Sequence, residues 1–265
     1  MRIAPGTMRL LIVAAIFGAW ELLPRALDLP LVLLPPLSTS LDAGVENRLV
    51  FFQHFGVTLG EVAIAVLIAC GLGLIAGMLV GVSQARARKI APLASTLYAI
   101  PIVMLYPLFT VWLGIGSSSK IAFGAFYGFV PTFLTTVAGV ATIPDYYRTV
   151  ARSYAATPAQ QILRILIPAA IPTVLSGIRL GGALAIVGVI AAEMLTSTAG
   201  LGFLISQFRT SLETPAVYFS VLCVIFLVVA FEVAMYGLDL VCQQRWAPWK
   251  RDRTGTSDPA QLAVT

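Results

Sequence analysis

The chain has 265 residues, of which 58% are hydrophobic and only 11% charged, against the roughly 25% charged residues of an ordinary soluble domain. The charges are clustered, leaving uncharged stretches such as the 30 residues between Lys89 and Lys120, and about 20 apolar residues suffice for one helical membrane span. A soluble globular fold is thereby excluded, and the net charge of +5 is read as membrane topology rather than nucleic-acid binding, because the basic residues sit in short clusters between apolar runs.

The expected fold is an all-α polytopic membrane bundle, a single permease-sized domain over 1–265, with six spans. The first, 8–27, interrupted by Glu21 and Pro24, places its apolar run Leu10 to Ala19 after Arg2 and Arg9 and is expected to be uncleaved, since no small-x-small site comes closely before Trp20. The second, 57–82, repeats small residues every fourth position at Ala65, Ala69, Gly73, Gly77 and Gly81, which puts them on one helix face for close packing. The third, 92–115, is interrupted by Pro101 and Pro107, each of which removes a backbone donor and bends or breaks the helix. The fourth, 121–142, repeats the packing device with Gly124, Gly128, Thr132 and Thr136 and carries Pro131; the fifth, 174–195, has Gly177, Gly181 and Ala185; the sixth is 216–240. The tail 254–265 is expected to be disordered.

Thirteen of the 17 Lys and Arg residues fall on the side that holds both termini if the N-terminus is inside, and four on the other. Both termini are therefore expected in the cytoplasm. Cys70, Cys223 and Cys242 have neither disulfide nor metal-ligand spacing, and His54 has no ligand set near it, so no metal site is expected. Gly71 to Ala76 has the spacing of a dinucleotide fingerprint but lies inside an apolar helix. Gly114 to Lys120 lacks the ending of a phosphate loop. No nucleotide site is therefore expected on this chain.

The connection 143–173 is too long for a simple loop. Asp145 to Ala156 reads as a short helix with Arg148, Arg152 and Tyr154, and Thr157-Pro158 as the cap and first residue of a second helix running to Ile167. Pro168 and Pro172 follow. Val150, Ala151 and Ala155 are expected to be exposed beside Arg148 and Arg152, giving either an amphipathic pair on the membrane surface or a docking knob.

This loop resembles the signature of the permease subunit of bacterial ABC importers: Glu-Ala-Ala, three residues, Gly, nine residues, Ile-x-Leu-Pro. Thr149-Val150-Ala151 takes the first place, Ala155 the glycine place, and Ile165-Leu166-Ile167-Pro168 the ending, without a gap. Thr149, Ala155 and Ile167 depart from the pattern. Pro101, Pro107-Leu108, Trp112 to Gly116, Ser119 to Ile121, Ala192 to Leu195 and Gly200 to Gly202 are similar to the sulfonate, taurine and nitrate branch, with Ser117 standing where an acid is expected. The resemblance covers about Thr58 to Ile205.

It implies a type I-like importer permease with no enzymatic site of its own. Two copies of the chain would form a homodimeric pore for a small anion or related organic solute. Two cytosolic ATP-binding subunits would hold ATP and Mg, and an extracytoplasmic binding protein would deliver the solute. Arg148, Thr149, Val150, Ala151, Arg152, Ser153, Tyr154, Ala155, Ala156, Thr157, Ile165 and Pro168 become the candidate docking residues. Pro101, Pro107, Trp112 and Glu193 become pathway or gating candidates, Glu193 being either a lining acid, with Arg209 as a possible mate, or an interfacial carboxylate in water. Glu61 and Lys120 read as end anchors. From another class, an ion-coupled secondary carrier would use Glu193 and Glu232 as a relay.

Overall fold

The computed structural model describes residues 5–97, 101–161, 164 and 166–251; the tail 254–265 lies outside them. The described residues are helices and short connections. In chain order the helices are α1 (Pro5–Ala26), α2 (Leu37–Glu46), α3 (Arg48–Gly81), α4 (Gln84–Thr96), a 3-10 turn Ile102–Leu105, α5 (Tyr106–Leu113), α6 (Ser117–Ala141), α7 (Asp145–Ser153), α8 (Pro158–Gln161), α9 (Ile167–Leu195), α10 (Leu201–Thr210) and α11 (Thr214–Arg251).

Among the described residues four helices are long and apolar enough to cross a membrane: α3, α6, α9 from Pro168, and α11 to Cys242. The first span of the sequence reading corresponds to α1, and the third, 92–115, is the one that does not form a single helix. The 92–115 segment is broken: its first residues end α4, and a separate α5 begins at Tyr106 with Pro107 in its first turn. A proline there gives up an N–H that has no intrahelical acceptor anyway, so Pro107 starts a helix rather than bending one. The second span begins nine residues earlier, at Arg48, and the fifth seven residues earlier, at Ile167, with Pro168 in its first turn and Pro172 accommodated inside.

Helix α6 is the axle. It buries Phe123, Val130, Phe133, Val137 and Val140 together with Gly124, Gly128, Thr132 and Thr136, because it is packed between α3, which runs parallel to it, and α9, which runs antiparallel. A methyl group on Gly73 would stand 2.7 Å from Thr132 Cβ, one on Gly77 2.5 Å from Thr136 Cβ, and one on Gly81 2.8 Å from Val140 Cβ. The α6 glycines continue the series towards the other end: Gly124 meets Ala65 and Gly128 meets Ala69. On the α9 side, Thr132 Oγ1 donates to Gly177 O at 3.4 Å, and Gly181 lies against Gly128 and Thr132. Such approach brings backbones into van der Waals contact, which drives helix association where lipid removes the hydrophobic incentive.

Thr132, Thr135 and Thr136 turn their hydroxyls onto carbonyls three or four residues back, satisfying themselves within α6 around Pro131. Helix α11 covers the flank of α9 and α10, while α1 and α2 meet α11 through Trp20, Tyr218 and the 30–36 segment. The bundle thus has two ends, one carrying the α6–α9 connection with α7 and α8, the other carrying the α9–α10 joint.

Candidate functional site

At the loop end, α7 stops at Ser153 and the chain turns through Ala155, which has φ +49°. That left-handed conformation favours glycine, so the turn of the glycine place persists with alanine in it. Thr157 and Gln160 then form a reciprocal cap: Thr157 N donates to Gln160 Oε1 at 2.9 Å and Gln160 N to Thr157 Oγ1 at 3.3 Å. The helix so started is described only to Gln161; the reading of it continuing to Ile167 falls largely on residues outside the description, Ile165 at the motif's end among them, and α9 begins at Ile167.

The surface of this loop differs from the sequence reading at one position. Ala151 is only 4% exposed, so it packs inward, whereas Val150 is half exposed and Tyr154 84% exposed. Thr149, Ser153 and Ala155 are exposed and Ala156 half-buried, and Ser153 Oγ donates to Thr149 O. Arg148 and Arg152 lie on α7, their side chains outside the description. Pro168 is half-buried at the start of α9 above a cluster of Val140, Ile143, Leu166, Ala170 and Val174, which roots the loop on α6 and α9.

At the other end, Glu193 is 1% exposed and both its oxygens are engaged: Thr58 Oγ1 donates to Oε1 and Gly202 N to Oε2, each at 2.8 Å. Neither an interfacial carboxylate in water nor a pair with Arg209 is formed; Arg209 is exposed at the far end of α10. The two backbone donors just before Gly202 are also taken, Gly200 N by His54 Nδ1 at 2.9 Å and Leu201 N by Thr58 Oγ1 at 2.8 Å. A helix start attracts anions because its N–H groups are unpaired, and here the chain's own carboxylate occupies it. Gly200 has φ +113° and any Cβ there would collide with the Glu193 carboxylate.

Glu61 and Lys120, read as end anchors, form instead a buried ion pair of 2.6 Å. Lys120 Nζ also donates to Ser197 Oγ at 3.1 Å and Ala199 O at 3.4 Å, and Tyr106 OH donates to Thr196 O at 3.3 Å. Every residue from Thr196 to Gly202 except Thr198 is thus held by a side chain of another element or by Glu193. The sequence reading missed His54 and Thr58; the signal was available, since 54, 58, 61 and 65 follow one another at spacings of four, three and four, which keeps them on the α3 packing face.

The remaining pathway candidates stand apart from this joint. Pro101 and Pro107 are exposed, and Trp112 is 70% exposed on α5, 6.0 Å from the Phe109 ring. Glu232, which showed no partner in the sequence, pairs with Arg179 at 3.4 Å. With Glu193 hydrogen-bonded and Glu232 paired, the two acids of the carrier alternative are engaged in structural contacts. Among the described residues no cluster of three or more His, Cys, Asp or Glu could hold a metal.

Known proteins agree with this picture. The chain is 28% identical over 236 residues to the taurine transport system permease protein TauC of Escherichia coli, covering 87% of this chain and 84% of the relative. It is 27% identical over 199 residues to the formylaminopyrimidine transport permease protein ThiX of Halalkalibacterium halodurans, covering 75% and 80%. Its fold matches a chain of the MetNI methionine ABC transporter in an inward-facing conformation with TM-score 0.63 at 18% identity, over 74% of this chain and 97% of that one. Residues 69–247 match the model of the binding-protein-dependent transport system inner membrane component. That match spans more than half of the chain, and this chain belongs to that family.

Proposed function

We propose that the chain is the conduit of an ATP-driven importer, working as two copies with two ATP-binding subunits seated on α7, α8 and the turn at Ala155. ATP and Mg are bound by those subunits. Both termini and the loop end then face the cytoplasm, in line with the thirteen-to-four distribution of basic residues, and the α9–α10 joint faces an extracytoplasmic binding protein that delivers the solute. The cargo is a small sulfonate, taurine, nitrate or related organic molecule; the likeness to the taurine and formylaminopyrimidine permeases supports that class. Pro101, Pro107 and Trp112, exposed on one chain, fit a seam between two copies.

The observation that carries the reading is Tyr154, 84% exposed beside a glycine-type turn on a loop rooted by buried contacts: a large aromatic held out on a rigid base is a docking feature. Tyr154→Glu tests it. Its exposure predicts a stability change within about 0.5 kcal/mol, while co-purification of the ATP-binding subunit falls roughly tenfold, the loss expected of one anchor residue. Undiminished assembly and uptake would sink the reading. Ala151, being buried, is the wrong place to probe docking.

A further inference from the structure

The contacts between α3 and α6 repeat with one offset. Gly73 meets Thr132, Gly77 meets Thr136 and Gly81 meets Val140, and 132 − 73, 136 − 77 and 140 − 81 are all 59; Ala65 with Gly124 and Ala69 with Gly128 obey the same rule. These five rungs are made of small or β-branched uncharged residues recurring every fourth position. Such an interface is nearly self-similar: moving α3 by one turn would set Ala69 on Gly124, Gly77 on Thr132 and Gly81 on Thr136, small on small again. A pattern that repeats every turn offers near-equivalent helix registers, and a buried polar group is a known way to specify one of them.

Glu61 and Lys120 are the next rung, since 120 − 61 is also 59. It is the one charged rung of the six, with both residues buried. Neither oxygen of Glu61 accepts a hydrogen bond beyond the ion pair, so the pair is poorly designed for stability; buried ion pairs rarely out-stabilise apolar replacements of the same volume. A one-turn slip would leave Lys120 facing Ala65 and Glu61 facing Gly116, two unpaired charges in a buried interface.

We infer that the Glu61–Lys120 pair is a register pin: it selects one of several near-equivalent settings of α3 against α6, and through the bonds of Lys120 to Ser197 and Ala199 it ties the α9–α10 joint to that setting. Both are positioning residues.

The test uses the full chain in lipid nanodiscs, with Cys70, Cys223 and Cys242 replaced by alanine and spin labels on Leu79→Cys and Ser118→Cys, both exposed. Residue 79 pairs in register with 138, which is 20 residues (138 − 118) along α6 from Ser118, so the labels are separated mainly along the axis by about 30 Å, and a one-turn slip shifts the distance by roughly 5–6 Å. Diluted with excess unlabelled chain so that a second copy adds no inter-chain distance, the parent chain gives one distance. Glu61→Met with Lys120→Met, which fills the space without charge, adds a second population displaced by one turn, in roughly a tenth of molecules or more. Glu61→Gln with Lys120→Gln reads the same question if the methionine pair does not fold. Lys120→Arg, which keeps the charge, retains the single distance. A pair that only stabilised would change the unfolding temperature and leave one distance. A single parent-like distance in the neutral double variants, or slippage in Lys120→Arg, overturns the inference.

Discussion

The two ends of the bundle solve opposite problems. At the joint, residues 197–202 are held by groups from three helices: His54 and Thr58 of α3, Lys120 of α6 and Glu193 of α9. At the loop end, a longer connection satisfies itself locally, through the Thr157–Gln160 cap and the turn at Ala155, and turns Val150 and Tyr154 away from the bundle. Polar groups buried in an apolar interior are costly unless paired, so a segment wired through them moves with its neighbours or not at all. A locally capped loop with exposed anchors has its geometry prepared for an external partner. The contrast assigns rigidity to one end and, under the proposed function, reception to the other.

Breaking one half of the ion pair gives the largest effect. Lys120→Met leaves the Glu61 carboxylate buried with no counter-charge and removes both donors to Ser197 and Ala199. The expected cost is about 3–5 kcal/mol, seen as a lowered unfolding temperature of the solubilised chain and loss of folded protein from the membrane. Lys120→Met combined with Glu61→Met is expected to recover most of that loss, because the orphaned charge is gone. If the single variant is as stable as the parent, the joint is not held by its charges and the contrast between the ends fails.

Thr58→Val is next. It keeps shape and removes one hydroxyl that both donates to Glu193 and accepts from Leu201 N, leaving two buried groups without that partner. The expected destabilisation is about 2–4 kcal/mol. It is local: amide exchange at Leu201 should accelerate, while exchange in α7 and α8 stays as in the parent. Acceleration at both ends would mean that they are one cooperative unit.

The legible and illegible parts of this site divide on physical grounds. The small-residue faces of α3 and α6 could be read from spacing alone, because the geometry that places 65, 69, 73, 77 and 81 on one stripe is a property of the helix itself. Thr157-Pro158 was legible for the same reason, since capping is local. What spacing could not supply was the pairing of stripes distant in sequence. Glu61 and Lys120 are 59 residues apart, and each by itself looked like an end anchor. Yet 61 precedes the α3 stripe by one turn and 120 precedes Gly124 by one turn, so aligning the two stripes brings the charges together. The interruption of 92–115 was legible in Pro101 and Pro107, each of which removes a backbone donor; what hydropathy could not supply is that Pro107 opens a new helix in its first turn. The inward side of Ala151 could not be had from the motif, which says which residues recur and not which way each points.

The smallest effect refines the receiving end. Ala155 carries a Cβ in a left-handed conformation, which costs a non-glycine residue about 1 kcal/mol or more; glycine relieves that strain but has more unfolded-chain freedom to lose, roughly 0.5–1 kcal/mol. Ala155→Gly should therefore stabilise the turn by roughly 0–1.5 kcal/mol, the difference between those terms, whereas a β-branched Ala155→Val should destabilise it, because its Cβ substituents crowd the same carbonyl. Amide exchange at Ala156 and Gln160, the first donors after the turn, reads both changes without involving any partner. Slower exchange for glycine and faster for valine, with assembly onto the ATP-binding subunit preserved only for glycine, would show that the partner reads the shape of this turn. Equal assembly for both would move recognition off the turn and onto Tyr154 and its neighbours, leaving the base they stand on as the loop's contribution.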